Sequence, residues 1–195
     1  MFKRDFMEPL VDEIKACRKC GLWRQRKNAV SGEGSLDAAV MLVGEAPGYW
    51  EDVKGQPFVG AAGKVLDELL SRAGISRSVV YVTNVVKCRP PENRDPRSSE
   101  IETCTPYLDR QIEIIKPKFI VTLGRHAASY ILSKAGIETE GITKIHGGIY
   151  EANLLGFEVS VIPMYHPAAA LYNVKYRDEL DKDFQLLRLR LERHG

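Results

Sequence analysis

The 195-residue sequence is 44% hydrophobic and 28% charged and has a net charge of +2. A chain of this length can bury one substantial core, so we expect a single domain over residues 1–195. No apolar run approaches the roughly 18 residues that would cross a bilayer, and the N-terminus lacks the apolar core of a signal peptide. These features argue against a membrane-spanning or secreted protein, and we expect a cytoplasmic protein with no membrane partner.

Short apolar strands alternate with helices along the chain. Apolar residues at helical spacing predict helices over residues 5–16, 62–73, 99–115, 125–135 and 176–193. Short β-branched or apolar runs predict strands over residues 38–43, 79–83, 119–123 and 159–163, and a hairpin over residues 145–153 before the last strand. The alternation predicts an α/β fold in which helices cover both faces of a parallel sheet.

The loops that follow the strands carry the candidate site, because ligands of such folds bind beyond the carboxyl ends of the strands. Glu45 follows the first strand in the run GEAPG, Asn84 follows the second, and His166 follows the last. The glycine-rich loop after the first strand lacks both the GxxxxGK[ST] spacing of a phosphate-binding loop and the GxGxxG dinucleotide pattern. This argues against use of a nucleoside triphosphate.

Phe58 is an isolated aromatic residue within the glycine-rich loop, flanked by Pro57 and Gly60. An aromatic ring held by proline and glycine is a suitable platform on which a planar ligand such as a nucleobase can stack. The alternative is that Phe58 is an ordinary core residue.

The sequence contains four cysteines, Cys17, Cys20, Cys88 and Cys104. The C-x2-C spacing of the first pair lets two thiolates face one metal, but a redox pair or unrelated buried thiols would also be consistent with it. Zinc modules usually combine two tight pairs, whereas here the second pair is separated by 15 residues. This scattered spacing favours an iron–sulfur cluster over zinc.

Two basic runs surround these cysteines, CRKCGLWRQRK from Cys17 and KCRPPENRDPR from Lys87. Such runs are either solvated loops or a cationic surface for phosphates. Their place beside the cysteines means that a metal centre there would also fix a cationic surface.

The chain contains, in order, the motifs GEAPG, GQPFVGAAG, VTNVVKCRPPENR and HPAAAL, together with the four cysteines. In combination these features strongly resemble the family four uracil-DNA glycosylases. The resemblance implies a three-layer α/β/α fold with a central four-stranded parallel sheet. It also implies a structural [4Fe–4S] cluster held by the four cysteines, and excision of uracil from DNA.

The resemblance further implies how a flipped-out uracil is recognised and cleaved. Phe58 stacks on the uracil ring, and the amide of Asn84 reads the pyrimidine edge, which cytosine presents with the opposite donor and acceptor pattern. His166 is the catalytic histidine. It donates a hydrogen bond to uracil O2, where negative charge develops as the glycosidic bond breaks.

Three residues of the first strand-end loop complete the implied site. Glu45 is a second catalytic residue that orients the attacking water or stabilises the sugar cation. The backbone amide of Ala46 helps to hold the water or the base. Glu51 occupies the position of a gate against the C5 methyl group of thymine.

The DNA partner is expected to be uracil-containing DNA, single- or double-stranded. Five residues are candidate DNA contacts: Arg89 and Arg94 from the second basic run, Ala168 through its backbone N–H, and Leu171 or Tyr172 as the wedge in the base stack. We expect a monomer. A sliding clamp is a candidate partner through either terminus, although the sequence has no clear clamp-binding motif.

The sequence therefore predicts a monofunctional uracil-DNA glycosylase that initiates base-excision repair. The matched motifs place no lysine for a Schiff base, which argues against lyase activity. A second enzyme hypothesis is a relative that acts on hypoxanthine or xanthine. The non-enzyme alternative is a cluster- or zinc-bearing DNA-binding module, which would have little use for Phe58, Asn84 and His166 on separate loops.

Overall fold

The computed structural model describes residues 2–194. Seven α-helices lie in this part of the chain: α1 (Lys3–Ala16), α2 (Tyr49–Lys54), α3 (Ala61–Arg72), α4 (Ser98–Ile115), α5 (Arg125–Lys134), α6 (Ile142–Ile145) and α7 (Val174–His194). The strands are β1 (Glu33–Gly34), β2 (Val40–Gly44), β3 (Val80–Asn84), β4 (Phe119–Leu123), β5 (Tyr150–Leu154) and β6 (Phe157–Met164). Among the described residues no helix combines the length and the apolar character that crossing a membrane requires.

The strands form one mixed sheet in the order β1-β3-β2-β4-β6-β5. The four central strands are parallel, as the sequence predicts, and they are the four predicted strands. The sheet nevertheless has six strands and not four, because β1 and β5 pair antiparallel at its two edges. The hairpin predicted over residues 145–153 lies further along the chain. It is formed by β5 and β6, which pair directly and extend the sheet.

Each face of the sheet is covered by its own helices, which gives three layers. Alternate side chains of a strand point to opposite faces. Met41 and Val43 of β2 accordingly pack with α1, α4 and α5, whereas Val40 and Leu42 pack with α3 and α7. Burial of β2, β3 and β4 along their whole length explains their largely apolar sequences.

The carboxyl ends of the parallel strands meet at one edge of the sheet. Gly44 ends β2 directly beside Asn84, which ends β3. Leu123 at the end of β4 pairs with Met164 at the end of β6. The loops after β2, β3, β4 and β6 therefore converge, and this convergence positions the candidate site.

Candidate functional site

A cavity of about 450 Å³ opens at the carboxyl ends of the strands. Its wall contains all six residues predicted to act in catalysis or uracil binding: Glu45, Ala46, Glu51, Phe58, Asn84 and His166. Two of the candidate DNA contacts, Arg94 and Ala168, also line it. Residues that are far apart in sequence thus share one concave site of the size that takes a small planar ligand.

Asn84 presents an unpaired acceptor beside this cavity. The residue is only 2% exposed, and its side-chain Oδ1 is buried without a hydrogen-bond partner. A methyl group at Gly44 would lie 2.4 Å from this oxygen, so a glycine is needed for the main chain of β2 to pass this close to the Asn84 side chain. Buried acceptors are nearly always hydrogen-bonded, so this oxygen is suited to a ligand that donates an N–H.

Phe58 is buried and adopts a left-handed backbone conformation, with φ of 51°. This conformation is rare for a residue with a side chain and must be held by its surroundings. Arg77 holds it, since the guanidinium donates to the carbonyl oxygens of Phe58 at 3.0 Å and Pro57 at 2.6 Å. Gly63 lets α3 approach closely, because a Cβ there would lie 1.9 Å from the Phe58 oxygen.

Glu51 holds the other side of the same loop. Its Oε1 accepts hydrogen bonds of 2.8 Å from the backbone N–H groups of Val59 and Gly60. Its Oε2 lies toward Gly48, where an added Cβ would be 2.8 Å away. Glu51 therefore fixes the Phe58 loop while its second oxygen stands at the cavity wall, a structural contribution that its sequence position alone does not reveal.

His166 lies beside Phe58, with ring centroids 5.7 Å apart and planes inclined by 26°. Burial lowers the pKa of His166 to about 4. Its Nδ1 accepts a hydrogen bond of 3.1 Å from the backbone N–H of Ala168. An imidazole that is neutral and accepts at Nδ1 carries its proton on Nε2, so the side chain is a hydrogen-bond donor at neutral pH.

Glu45 is part of a charged group that sequence reasoning missed. Its carboxylate lies 3.8 Å from His126 Nε2, and the same nitrogen lies 3.3 Å from Asp95. Arg125 contacts Asp95 in turn. Burial and the Asp95 charge raise the pKa of Glu45, against the lowering effects of His126 and Arg125. The signal available in the sequence was that His126 follows β4, the remaining parallel strand that ends at this edge.

Of the candidate DNA contacts, the two arginines already contact neighbouring side chains, whereas the two wedge candidates are exposed. Arg94 is already paired, since both of its terminal nitrogens bind Glu100 at 2.9 and 2.7 Å. Arg89 is half-buried; its Nε donates to Asn93 Oδ1 at 2.7 Å, and its guanidinium lies 5.1 Å from the centre of the Tyr49 ring. Two residues lie outside the cavity wall and are open to solvent, Leu171 at 44% and Tyr172 at 88% exposure.

The four cysteines converge on a second hollow, although they come from three parts of the chain. All four line it, and none forms a disulfide. Cys17 and Cys20 follow α1, Cys88 follows β3, and Cys104 lies in the second turn of α4. Four free thiols that face one hollow can hold a metal centre.

The surroundings of these thiols suit a negatively charged, sulfur-rich group. Arg26 donates to Cys88 Sγ at 2.9 Å, and the Lys87 backbone N–H donates to Cys104 Sγ at 3.2 Å. Tyr107 lines the same hollow, and its hydroxyl is buried without a hydrogen-bond partner. Burial raises the pKa of the Cys104 thiol to about 11, so binding a metal there must displace a proton.

Comparison with known proteins agrees with this arrangement. The family described as Uracil DNA glycosylase superfamily matches residues 31–188. The type-4 uracil-DNA glycosylase of Saccharolobus solfataricus is 52% identical, over 93% of this chain and 84% of the relative. Those of Sulfurisphaera tokodaii and Thermotoga maritima are 54% and 44% identical, over 94% and 88% of this chain and 84% and 86% of each relative. The chain belongs to the uracil-DNA glycosylase superfamily and, within it, to the type-4 uracil-DNA glycosylases.

Proposed function

We propose that this protein excises uracil from DNA by hydrolysing the N-glycosidic bond of a flipped-out nucleotide, leaving an abasic site and initiating base-excision repair. The observation that carries the proposal is the buried, unpaired Oδ1 of Asn84, set in one cavity with the ring of Phe58 and the imidazole of His166. A flipped base is read in this way, by stacking on its face and by hydrogen bonds to its edge.

The chemistry of Asn84 selects uracil over cytosine. Its Oδ1 would accept from uracil N3–H, and its amide N–H₂ would donate to O4. Cytosine presents an acceptor at N3 and a donor at C4, so both contacts would be repulsive and the buried groups would stay unpaired. Unpaired groups in a dry site cost about 1–3 kcal/mol each, which is enough to reject cytosine strongly.

His166 would stabilise the departing base. Because its proton is on Nε2, the neutral imidazole can donate a hydrogen bond to uracil O2 as negative charge develops there. A neutral donor holds its proton and does not need to be charged before the bond breaks. The N–H of Ala168, which the sequence suggested as a phosphate contact, contributes here by holding the imidazole.

Glu45 would act on the attacking water and the sugar, on the other side of the breaking bond. A carboxylate at the wall of the cavity can orient the attacking water and favour the positive charge that develops on the sugar. Its raised pKa makes it a better proton acceptor than an ordinary surface glutamate. The proposed enzyme is a monofunctional hydrolase, which needs no Schiff base with a lysine.

Exclusion of thymine would fall to Glu51 and the backbone around Gly48. A hydrophobic slot discriminates against one methyl group by only about 1–3 kcal/mol, so a rigid wall is required. Glu51 is held rigid by its two backbone hydrogen bonds. Ala46 would contribute its backbone N–H from the same loop.

The ligands of a structural [4Fe–4S] cluster would be Cys17, Cys20, Cys88 and Cys104. Around one tetrahedral zinc, thiolates lie about 3.8 Å apart, because each Zn–S bond is about 2.3 Å. Among the described residues, no set of three cysteines has its sulfurs within 4.8 Å of one another. The wider spacing favours a cluster. Such a cluster would tie the segment after α1 to the β3–α4 loop and supply no redox step.

The remaining features of the proposal concern partners. The whole chain, residues 1–195, would act as one domain, because the described core is built on a single sheet. The protein would act as a monomer, and a cytoplasmic location is in keeping with a DNA substrate. Arg89 would contact phosphate, with Leu171 or Tyr172 as the wedge. A sliding-clamp contact is proposed without an identified surface.

Incubation with a uracil-containing oligonucleotide, followed by alkali, tests the proposal. The strand should break at the uracil, and matched strands with cytosine or thymine at that position should stay intact. The variant Asn84→Ala should retain binding to undamaged DNA while losing most cleavage. A protein that binds DNA but leaves the uracil strand intact would support the DNA-binding module instead.

A further inference from the structure

Lys87 is a buried lysine that the reaction described above does not use. Its side chain is only 1% exposed, although the sequence places it in a basic run that would be read as surface. The salt bridges among the described residues do not include it. Burying an ammonium group without a carboxylate is costly, and a residue that does so needs a specific set of acceptors.

The acceptors of Lys87 are complete and include Asn84. The three protons of Nζ are matched by three oxygens at 2.7 Å each: Thr83 Oγ1, the backbone carbonyl of Asn84 and Gln111 Oε1. Thr83 and Asn84 are the last two residues of β3. The ammonium group therefore fixes the peptide from which the Asn84 side chain projects to the cavity.

A second layer of hydrogen bonds holds the acceptors in place. Gln111 Nε2 donates to the backbone oxygen of Ser31 at 2.6 Å and to the Tyr81 hydroxyl at 3.1 Å. Thr83 Oγ1 lies 3.1 Å from the same Ser31 oxygen. A fully satisfied buried network of this kind permits little movement of its members.

The main chain of Lys87 belongs to the cysteine centre. Its N–H donates to Cys104 Sγ, its carbonyl accepts from Val30, and Cys88 is the next residue. One residue thus contacts a cysteine through its backbone and the base-reading strand end through its side chain. Lys87 therefore links the position of Asn84 to the cysteine centre.

We propose that Lys87 is a positioning residue for pyrimidine recognition, which sets the amide of Asn84 against the edge of the flipped base. The inference rests on the proposed function, because it assigns Asn84 to the uracil edge. A residue with this role should affect excision through Asn84, whereas a residue that only stabilises the fold should affect excision independently of Asn84.

A double-mutant cycle in the full-length protein separates these two cases. Lys87→Met, Asn84→Ala and the double variant are compared in single-turnover excision of uracil, with the absorption near 400 nm used to match cluster content. Tyr81→Phe is the control, because it removes a hydrogen bond from the same network without touching Asn84. Binding to an oligonucleotide with an abasic site and inhibition by free uracil are measured alongside.

Lys87→Met should lower the excision rate about 10–100-fold, by analogy with the loss that follows removal of a residue that orients a metal ligand. The double variant should match Asn84→Ala within about twofold, since contacting residues are not additive. Inhibition by free uracil should weaken while binding to the abasic strand is unchanged. Tyr81→Phe should melt at a lower temperature and lose much less excision activity than Lys87→Met, because Gln111 keeps its hydrogen bond to Ser31.

Additive losses in the cycle, or undiminished inhibition of Lys87→Met by free uracil, would overturn the inference. If Lys87→Met does not fold, Lys87→Gln replaces it, because the glutamine amide can still donate to the Asn84 carbonyl and should show a smaller, equally non-additive loss. A wild-type protein that leaves uracil strands intact would overturn the proposed function together with the inference. An active wild type with an additive cycle would overturn the inference alone.

Discussion

Lowering the pH should destabilise the wild-type protein more than a variant in which His166 is replaced by asparagine. Burial lowers the pKa of His166 from 6.5 to about 4. The unfolded chain therefore takes up a proton at this residue below pH 6.5, whereas the folded protein resists it until about pH 4. Stability from this residue is complete above pH 6.5 and is lost as the pH falls through this window.

The size of the effect follows from the two pKa values. Each tenfold change in an acid dissociation constant corresponds to about 1.4 kcal/mol, so the difference amounts to about 3 kcal/mol. This figure is an upper bound, because the His166 side chain is half-buried and one edge is open to the cavity. Asparagine suits the comparison, since it does not titrate and its oxygen can accept from the Ala168 N–H.

Urea unfolding of both proteins at several pH values between 7.5 and 4 measures the effect. The difference in unfolding free energy between them should shrink by up to about 3 kcal/mol across this range, and acid damage to the cysteine centre should affect both alike. Direct titration of ¹⁵N-labelled histidine should show His166 neutral, with its proton on Nε2, at pH 6. A pH-independent difference, or a His166 that titrates near 6.5, would refute the reasoning.

Three further predictions follow from the site. Gly44→Ala should reduce uracil excision at least about tenfold while undamaged DNA is still bound, because the new methyl would lie 2.4 Å from Asn84 Oδ1. Alkaline cleavage measures the excision and a gel shift measures the binding. Glu51→Ala should raise KM by releasing the Phe58 loop and should begin to excise thymine. Glu51→Gln is the control, because it keeps an oxygen that can accept from the loop. Strict uracil preference in Glu51→Ala would contradict the proposed gate. A chelator under denaturing stress should abolish absorption near 400 nm and lower the melting temperature, because the proposed iron–sulfur cluster would be lost.

The sequence predicts the centre of the fold well because the four parallel strands are buried on both faces. Their apolar runs leave little ambiguity, and the residues that follow them, such as Asn84 and His166, necessarily share one edge of the sheet. The edge strands lack this signal. Glu33–Gly34 has only two residues. Tyr150–Leu154 alternates half-buried and exposed positions, and only Leu154 is buried.

Contacts made through the backbone or by unusual burial could not be predicted. Lys87 has the sequence appearance of a surface cation, and only the folded structure shows three oxygens around its Nζ. Arg77 binds Phe58 and Pro57 through main-chain oxygens, which carry no residue-specific pattern. Both cases depend on tertiary proximity across the chain and not on local periodicity.

The hydrogen bonds around residues 57–60 are made to main-chain atoms and leave the Phe58 ring out of the attachment. The conformation of this loop is therefore fixed by contacts to its main chain and not by contacts to the ring. The ring itself is buried, and its far end packs against Gly44, where an added Cβ would lie 2.7 Å from Phe58 Cζ. A larger ring would therefore have to displace Gly44 or its neighbours, although the main chain that carries the ring would stay in place.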